Sequence, residues 1–135
     1  MKECDVAVVG GAAGLASAFF SKFFDRENDK KVLLFEGLPE DKYSTYHQMC
    51  GGCVNKKTFD EISPIKPKYP VEDIDTIKEF VVDEFVIENK LEGYILDRPK
   101  FFSYILKKFR SEGGDFTREM VTDISRKDKK NKAEN

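Results

Sequence analysis

The chain has 135 residues, 40% apolar and 36% charged, which is enough for one domain with its own core. Its 23 basic and 25 acidic side chains nearly balance, so the net charge of −2 gives no electrostatic reason to expect a nucleic-acid partner. No apolar run approaches the ~20 residues of a membrane span, and no signal peptide precedes the first apolar run, so we expect a cytoplasmic protein. Three cysteines without a secretion signal predict thiols rather than a disulfide framework.

An apolar run that breaks into small residues opens the chain. Val6–Val9 are strand formers, and the residues that follow them are Gly10, Gly11, Ala12, Ala13 and Gly14. From about Ala12 to about Asp25, apolar residues recur at spacings of three and four, which predicts an amphipathic helix. We expect its aromatic residues to face the core: Phe19, Phe20, Phe23 and Phe24. Strand, glycine turn and helix together predict the first half of a βαβ unit, whose turn would bind a diphosphate at the positive end of the helix; the alternative is the same strand, turn and helix with no ligand.

An acidic residue follows the second predicted strand at a fitting distance. Val32–Phe35 ends in Glu36, which is 22 residues beyond Gly14. This is close to the ~20 residues expected for the acid that accepts hydrogen bonds from a ribose, and an acid favours an unphosphorylated ribose. In a G-x-G-x-x-G frame, however, the first glycine position falls on Val9. Either the turn is one residue short and begins at Gly10, or a β-branched residue occupies a position that needs backbone freedom.

The middle of the chain predicts a less regular structure. Three prolines between Thr58 and Val71 predict an irregular surface connection. Short strands are predicted at 80–82, 85–87 and 94–96, with a turn at 88–90, as a small antiparallel excursion from the main sheet.

A second helix and a third main strand are predicted after this excursion. Pro99 is a natural first helical residue, so Arg98 is expected at the start of a helix that ends at Gly113. The buried stripe of this helix is predicted to be Phe101, Phe102, Ile105, Leu106 and Phe109. The alternation from Phe116 to Ile124 predicts a strand. We expect the lysine-rich residues 125–135 to be a disordered, solvated tail, with contact to an anionic membrane as the alternative.

Two further motifs carry a specific resemblance to a known family. They are Cys50-Gly51-Gly52, which follows Glu36, and the segment Gly93-Tyr94-Ile95-Leu96-Asp97-Arg98-Pro99-Lys100-Phe101. With the glycine turn, they resemble the N-terminal part of the geranylgeranyl reductases, FAD-dependent flavoproteins related to the p-hydroxybenzoate hydroxylase group. The resemblance runs from Cys4 to about Ile124. It implies an α/β fold, a Rossmann-like FAD/NAD(P)-binding βαβ domain over residues 1–124 with a small antiparallel β excursion, incomplete relative to the longer family members.

The resemblance also implies a cofactor, a reaction and particular site residues. The cofactor is FAD, the reaction is reduction of C=C bonds in geranylgeranyl groups of lipids or related isoprenoids, and an external electron donor reduces the flavin. Cys50 and Gly52 are expected beside the flavin, where Cys50 is a candidate for a catalytic role. Arg98 is expected to help hold FAD, and Val121 to contact the adenine. Because the substrate implied by the resemblance is a lipid, we also expect peripheral contact with a membrane.

Other interpretations stay open. Cys50 and Cys53, with His47 and Cys4, would also suit a redox pair or half of a metal site, although a structural zinc needs four ligands. Arg98 could instead form a surface ion pair. The glycine turn alone would suit a stand-alone dinucleotide-binding module or a non-catalytic remnant that acts through a partner. Because the family's later Gly-Asp motif and substrate region have no counterpart in the sequence, we expect a fragment or a protein completed by a partner.

Overall fold

A computed structural model describes residues 3–42, 51–81 and 85–125 of the chain. These residues form two sheets, one parallel and one antiparallel, with three strands each. The elements in chain order are β1 (Val6–Val9), α1 (Ala12–Phe23), β2 (Val32–Phe35), a short 3-10 turn (Glu40–Lys42), β3 (Cys53–Asn55), α2 (Thr58–Glu61), β4 (Pro70–Val81), β5 (Phe85–Leu96), α3 (Arg98–Ser111) and β6 (Asp115–Thr117). The architecture is therefore mixed α/β.

The parallel sheet has the strand order β1-β2-β6. Neighbouring parallel strands need a crossover connection, and α1 supplies the one between β1 and β2. The predicted strand–turn–helix–strand unit is thus present. The third strand is shorter than the predicted run to Ile124, because its last partner pair is Phe35 with Thr117, where β2 itself ends. Without a neighbouring strand to bond to, the chain beyond Thr117 leaves the sheet.

Helix α1 covers the sheet with one stripe of its surface. Its buried residues are Leu15, Ala18, Phe19 and Lys22. The prediction that all four phenylalanines face the core is wrong at the helix end, since Phe23 is 38% and Phe24 69% exposed. The helix ends at Phe23, two residues before Asp25, whose N–H donates to the carbonyl of Lys22 and whose carboxylate binds the ammonium of Lys22 at 2.7 Å.

The antiparallel sheet has the order β3-β5-β4 and consists mainly of one long hairpin. The predicted turn at 88–90 is wrong, since these residues lie inside β5 and pair with residues 76–78 of β4. Residues 88–90 are polar because this part of the hairpin is exposed to solvent. One of them, Glu88, pairs across the strands with Lys78, whose Nζ lies 2.6 Å from Glu88 Oε1. The chain reversal falls between Val81 and Phe85 instead.

The proline-containing segment is more ordered than predicted. It includes helix α2, and two of its side chains enter the core, Phe59 with 6% and Ile65 with 0% exposure. The ring of Phe59 meets that of Phe101 edge-on, with centroids 5.9 Å apart. The expected surface connection is therefore part of the main hydrophobic core.

Helix α3 confirms the predicted start and end, and the predicted buried stripe in part, since Phe102 and Leu106 are only half-buried. Asp97 caps it by accepting a hydrogen bond from Lys100 N at 3.2 Å, and Pro99 occupies the first turn. The residues that it buries are Phe101, Ile105 and Phe109. Beyond its end, Gly113 has a φ of +84°, which suits the left-handed residue that follows many helices. The packing of α3 against α1 places the core between these helices and the two sheets.

Candidate functional site

Two glycines of the turn between β1 and α1 have different structural roles. Gly10 has a φ of +85°, and its N–H donates to the carbonyl of Phe35 at 2.8 Å. A Cβ at Gly14 would lie 3.2 Å from the carbonyl oxygen of Val9, so Gly14 permits α1 to approach β1 closely. The turn therefore begins at Gly10, and Val9 is the last residue of the strand. Of the two alternatives left open by the sequence, the structure has the shorter turn.

The start of α1 is open toward a ligand. Its N-cap is Gly11, which offers no side-chain hydrogen bond, and Leu15 N donates to Gly11 O as the first intrahelical bond. The amides of Ala12, Ala13 and Gly14 come before that bond, at the positive end of the helix dipole. Such an end can bind a phosphate through the backbone alone.

A cleft of about 380 Å³ lies at the carboxyl edge of the parallel sheet, next to this turn. We call it the edge cleft. Its apolar walls come from four parts of the chain: α1, the end of β2 with its loop, α3 and the end of β6. The side chains concerned are Leu15, Leu34, Leu38, Pro39, Phe102, Leu106, Phe116 and Met120. Open α/β sheets bind ligands at this edge, and an apolar cleft with a few polar groups is typical of a small-molecule site.

Glu36 is the acidic residue of the cleft at the end of β2. It is half-buried, its N–H donates to Thr117 O at 3.1 Å, and its Oε1 accepts a hydrogen bond from Leu38 N at 2.8 Å. These bonds fix the carboxylate in the turn after β2 while its second oxygen remains an acceptor for a ligand. Gly10, Gly11 and Glu36 therefore border one cleft, as expected of a site for a phosphate and a ribose.

Sequence reasoning missed the residues after β6 that border the edge cleft. Arg118 and Met120 both line it, whereas the predicted adenine contact, Val121, is half-buried outside its lining. Met120 also packs against Gly37, where a Cβ would lie 3.1 Å from the Met120 Cβ. The alternating pattern from Phe116 predicts a strand, and nothing in that pattern distinguishes a cleft wall from a sheet. The contact of Val121 with adenine remains a prediction.

The other expected flavin-side residues form a second group at the start of α3. Gly52 has a φ of +74°, its carbonyl accepts a hydrogen bond from Leu96 N at 3.2 Å, and a Cβ there would lie 3.7 Å from Arg98 Nε. The structure therefore brings Gly52 and Arg98 together, and the positive φ of Gly52 and the carbonyl oxygen of Leu96, 3.3 Å from where a Cβ would lie, favour glycine there. Cys50 and His47 lie outside the described residues.

Helix α3 connects this group with the edge cleft. Arg98 is its first residue, and Phe102, which lines the cleft, follows four positions later. Four helical residues correspond to about 6 Å along the axis. The edge cleft and the Gly52–Arg98 group therefore lie along the same helix, about one turn apart.

Charges at the start of α3 are balanced by a local ion pair. Lys100 Nζ lies 2.8 Å from Asp97 Oδ2. Hydrogen bonds from the Lys100 side chain and backbone lower the pKa of Asp97, and the Asp97 carboxylate raises the pKa of Lys100. Both groups are thus ionised at neutral pH, and Asp97 remains an effective helix cap.

Two cysteines are described, and both are free thiols: Cys4, half-buried, and Cys53, exposed. Within residues 3–42, 51–81 and 85–125, no three His, Cys, Asp or Glu side chains are grouped so that they could hold a metal ion. The same residues contain no helix with the length and apolar character needed to cross a membrane.

Comparison with known proteins gives a likeness in fold. The chain is similar to a solved structure described as geranylgeranyl bacteriochlorophyll reductase-like, from Thermoplasma acidophilum, with a TM-score of 0.66 and 22% identical residues. The likeness covers 84% of this chain and 29% of the other, so the chain spans less than a third of that protein's length. The sequence matches no protein-family model and no curated protein. The mixed α/β fold thus resembles part of a reductase-like protein.

Proposed function

We propose that the chain binds FAD in the edge cleft and is the cofactor-binding part of an oxidoreductase of the geranylgeranyl reductase type. The observation that carries this proposal is the arrangement of the Gly10 turn, the free start of α1 and Glu36 around one apolar cleft. Each feature suits a different portion of an adenine dinucleotide. The domain would comprise residues 1–124, with residues 125–135 as a tail, most of which lies outside the described residues.

The residues present fit the adenosine diphosphate portion of the cofactor. The diphosphate would lie at the backbone of Gly10 and Gly11 and at the start of α1, where a Cβ at either glycine would meet nothing within 4 Å and the N-cap has no side-chain hydrogen bond. Glu36 would accept hydrogen bonds from the ribose. The adenine would fill the apolar part of the cleft, whose volume of about 380 Å³ lies within the ordinary range for ligand pockets.

The flavin portion would extend along α3 toward Gly52 and Arg98. A guanidinium is well suited to hold a phosphate or a ribose there, and the small Gly52 allows backbone to lie close to a planar ring. Cys50 is two residues from Gly52 in sequence, and its place beside the flavin belongs to the same proposal.

The proposed reaction is the reduction of C=C bonds in isoprenoid chains of lipids. The bound flavin, reduced by an external donor, would supply the hydride. This chain's own residues would bind and orient the cofactor. The reductase-like neighbour supports a flavin cofactor, and the lipid substrate, the electron donor and peripheral membrane contact are proposed from the family resemblance.

A stand-alone dinucleotide-binding module is the second candidate function. It is favoured by one observation: among the described residues, the lining of the edge cleft includes Glu36 but neither Gly52 nor Arg98. Such a module would bind NADH or ADP as well as FAD, whereas a flavoprotein would favour FAD.

Titration of the purified chain with FAD, NADH and ADP tests the proposal, followed by flavin fluorescence or calorimetry. We expect saturable FAD binding in the micromolar range, corresponding to about −8 kcal/mol. Leu106→Trp, which fills the apolar part of the cleft, should abolish binding, and Lys107→Trp, on the exposed neighbouring position, should not. Equal affinity for NADH and FAD would favour the stand-alone module. Failure to bind any of the three would refute both functions.

A further inference from the structure

Arg118 connects two segments that face each other across the edge cleft. Its Nη1 donates a hydrogen bond to the carbonyl oxygen of Leu38, in the loop after β2, and its Nη2 lies 4.0 Å from Glu40 Oε2 in the same loop. Arg118 itself follows β6, and its Cζ lies 5.2 Å from the centre of the Phe116 ring. The guanidinium thus joins residues that are 80 positions apart in sequence.

The loop that Arg118 holds is the wall beside the expected ribose. Leu38 N donates to Glu36 Oε1, so the two backbone polar groups of Leu38 are bonded to two side chains of the cleft. Because the guanidinium holds the carbonyl oxygen of Leu38, it restricts how far the N–H of the same residue can turn away from Glu36 Oε1. The orientation of the Glu36 carboxylate is therefore coupled to the guanidinium of Arg118.

We propose that Arg118 is a positioning residue of the nucleotide site, which holds Gly37–Glu40 in the conformation that binds the cofactor. This inference rests on the proposed FAD function of the edge cleft. When only a fraction of the molecules has the competent loop conformation, the apparent dissociation constant rises by the inverse of that fraction. Release of the loop should thus weaken binding even though Arg118 need not contact the ligand.

The chain contains a matched control for this residue. Arg110 of α3 also places its Cζ 5.2 Å from the centre of the Phe116 ring, and it is exposed outside the lining of the edge cleft. Arg110→Ala removes one positive charge and one contact with the same ring, as Arg118→Ala does. Only Arg118→Ala also removes the hydrogen bond to Leu38. Because Arg118 also lines the cleft and lies near Glu40, the difference in amide exchange between the two variants, rather than the difference in affinity alone, reports on the loop.

The experiment combines amide hydrogen exchange of the ligand-free chain with FAD titration. For Arg118→Ala we expect faster exchange at Leu38 and about tenfold weaker FAD binding, with both properties unchanged in Arg110→Ala. Arg118→Lys keeps the charge, but a single ammonium replaces the guanidinium fork. For Arg118→Lys, the amide exchange rate at Leu38 and the affinity for FAD should both lie between those of the wild type and Arg118→Ala.

The possible failures are distinguishable from each other. Unchanged exchange at Leu38 in Arg118→Ala overturns the positioning role, whatever the binding result. Weaker FAD binding without faster exchange assigns Arg118 to direct charge attraction and also overturns it. If the wild-type chain binds no FAD, the proposed function fails together with this role. If wild type and both alanine variants bind FAD equally well, the function stands and the positioning role alone is refuted.

Discussion

Two substitutions of Glu36 separate its proposed role toward the ribose from its structural role in the loop. In the structure, Oε1 accepts the hydrogen bond from Leu38 N at 2.8 Å, and the second oxygen is the one that a ligand would use. Glu36→Gln can keep the bond to Leu38 through its amide oxygen but presents an NH₂ group, without acceptor capacity, to the ribose. Glu36→Ala loses both interactions.

The expected magnitudes follow from the strength of these bonds. Loss of a charge-assisted hydrogen bond to the ribose should cost about 1 to 2 kcal/mol, or about 5- to 30-fold in the dissociation constant of FAD, in both variants. The free energy of unfolding should change by less than about 0.5 kcal/mol in Glu36→Gln. It should fall by about 1 kcal/mol in Glu36→Ala, because the Leu38 N–H loses its partner.

The assays are FAD titration by flavin fluorescence and urea denaturation of the same preparations. Asp41→Ala is the control, because Asp41 is an exposed carboxylate of the same loop region that does not line the cleft. If Glu36→Gln binds FAD as tightly as the wild type, Glu36 does not bind the ribose. If only Glu36→Ala binds weakly, Glu36 acts through the loop, and the reasoning on the ribose is refuted.

Three further predictions concern stability. Gly114→Ala should destabilise the chain by about 3 kcal/mol in urea denaturation, because the new Cβ would overlap the ring of Phe109, which is 0% exposed. Ile65→Ala should also cost about 3 kcal/mol in urea denaturation, since Ile65 is fully buried. Lys22→Met should lower the Tm in thermal unfolding at pH 7, because it leaves Asp25 without its ion-pair partner. The Tm difference between the wild type and Lys22→Met should become smaller as the pH falls below 3.8. The hydrogen bond from Lys22 holds the pKa of Asp25 below that ordinary value, and protonation of Asp25 removes the ion pair.

Each of these predictions has its own control. For Gly114 the control is Gly51→Ala, where a Cβ would meet open space, and for Ile65 it is Ile124→Ala, at a position that is 82% exposed. Both controls should change the free energy of unfolding by less than about 0.5 kcal/mol. A similar loss in a variant and its control would contradict the packing argument. A Tm difference for Lys22→Met that is the same at pH 7 and pH 2.5 would show that charge on Asp25 is not involved.

The predictions that succeeded depend on residues close together in the chain. The start of α3 follows from Asp97 and Pro99, and the strand, turn and helix that begin the chain follow from the run around Gly10. The predictions that were wrong concern segments whose conformation depends on contacts with residues distant in sequence. Residues 88–90 are polar and were predicted as a turn, but pairing with β4 keeps them in an exposed strand. The segment around Ile65 contains prolines and is predicted to be irregular, but it is ordered because Ile65 packs in the hydrophobic core.

The local framework follows from short stretches of sequence: the glycine turn, the acid at the end of β2 and the core positions Phe101, Ile105 and Phe109 of α3. Turns, caps and periodic stripes are set by the backbone preferences and side chains of a few consecutive residues. Only the tertiary structure decided that Glu36, Arg118 and Met120 border one cleft and that Gly52 meets Arg98. The parallel pairing of β2 with β6 brings the segments after these strands together, so that Leu38 meets Arg118 from 80 positions away, and no local pattern encodes that encounter.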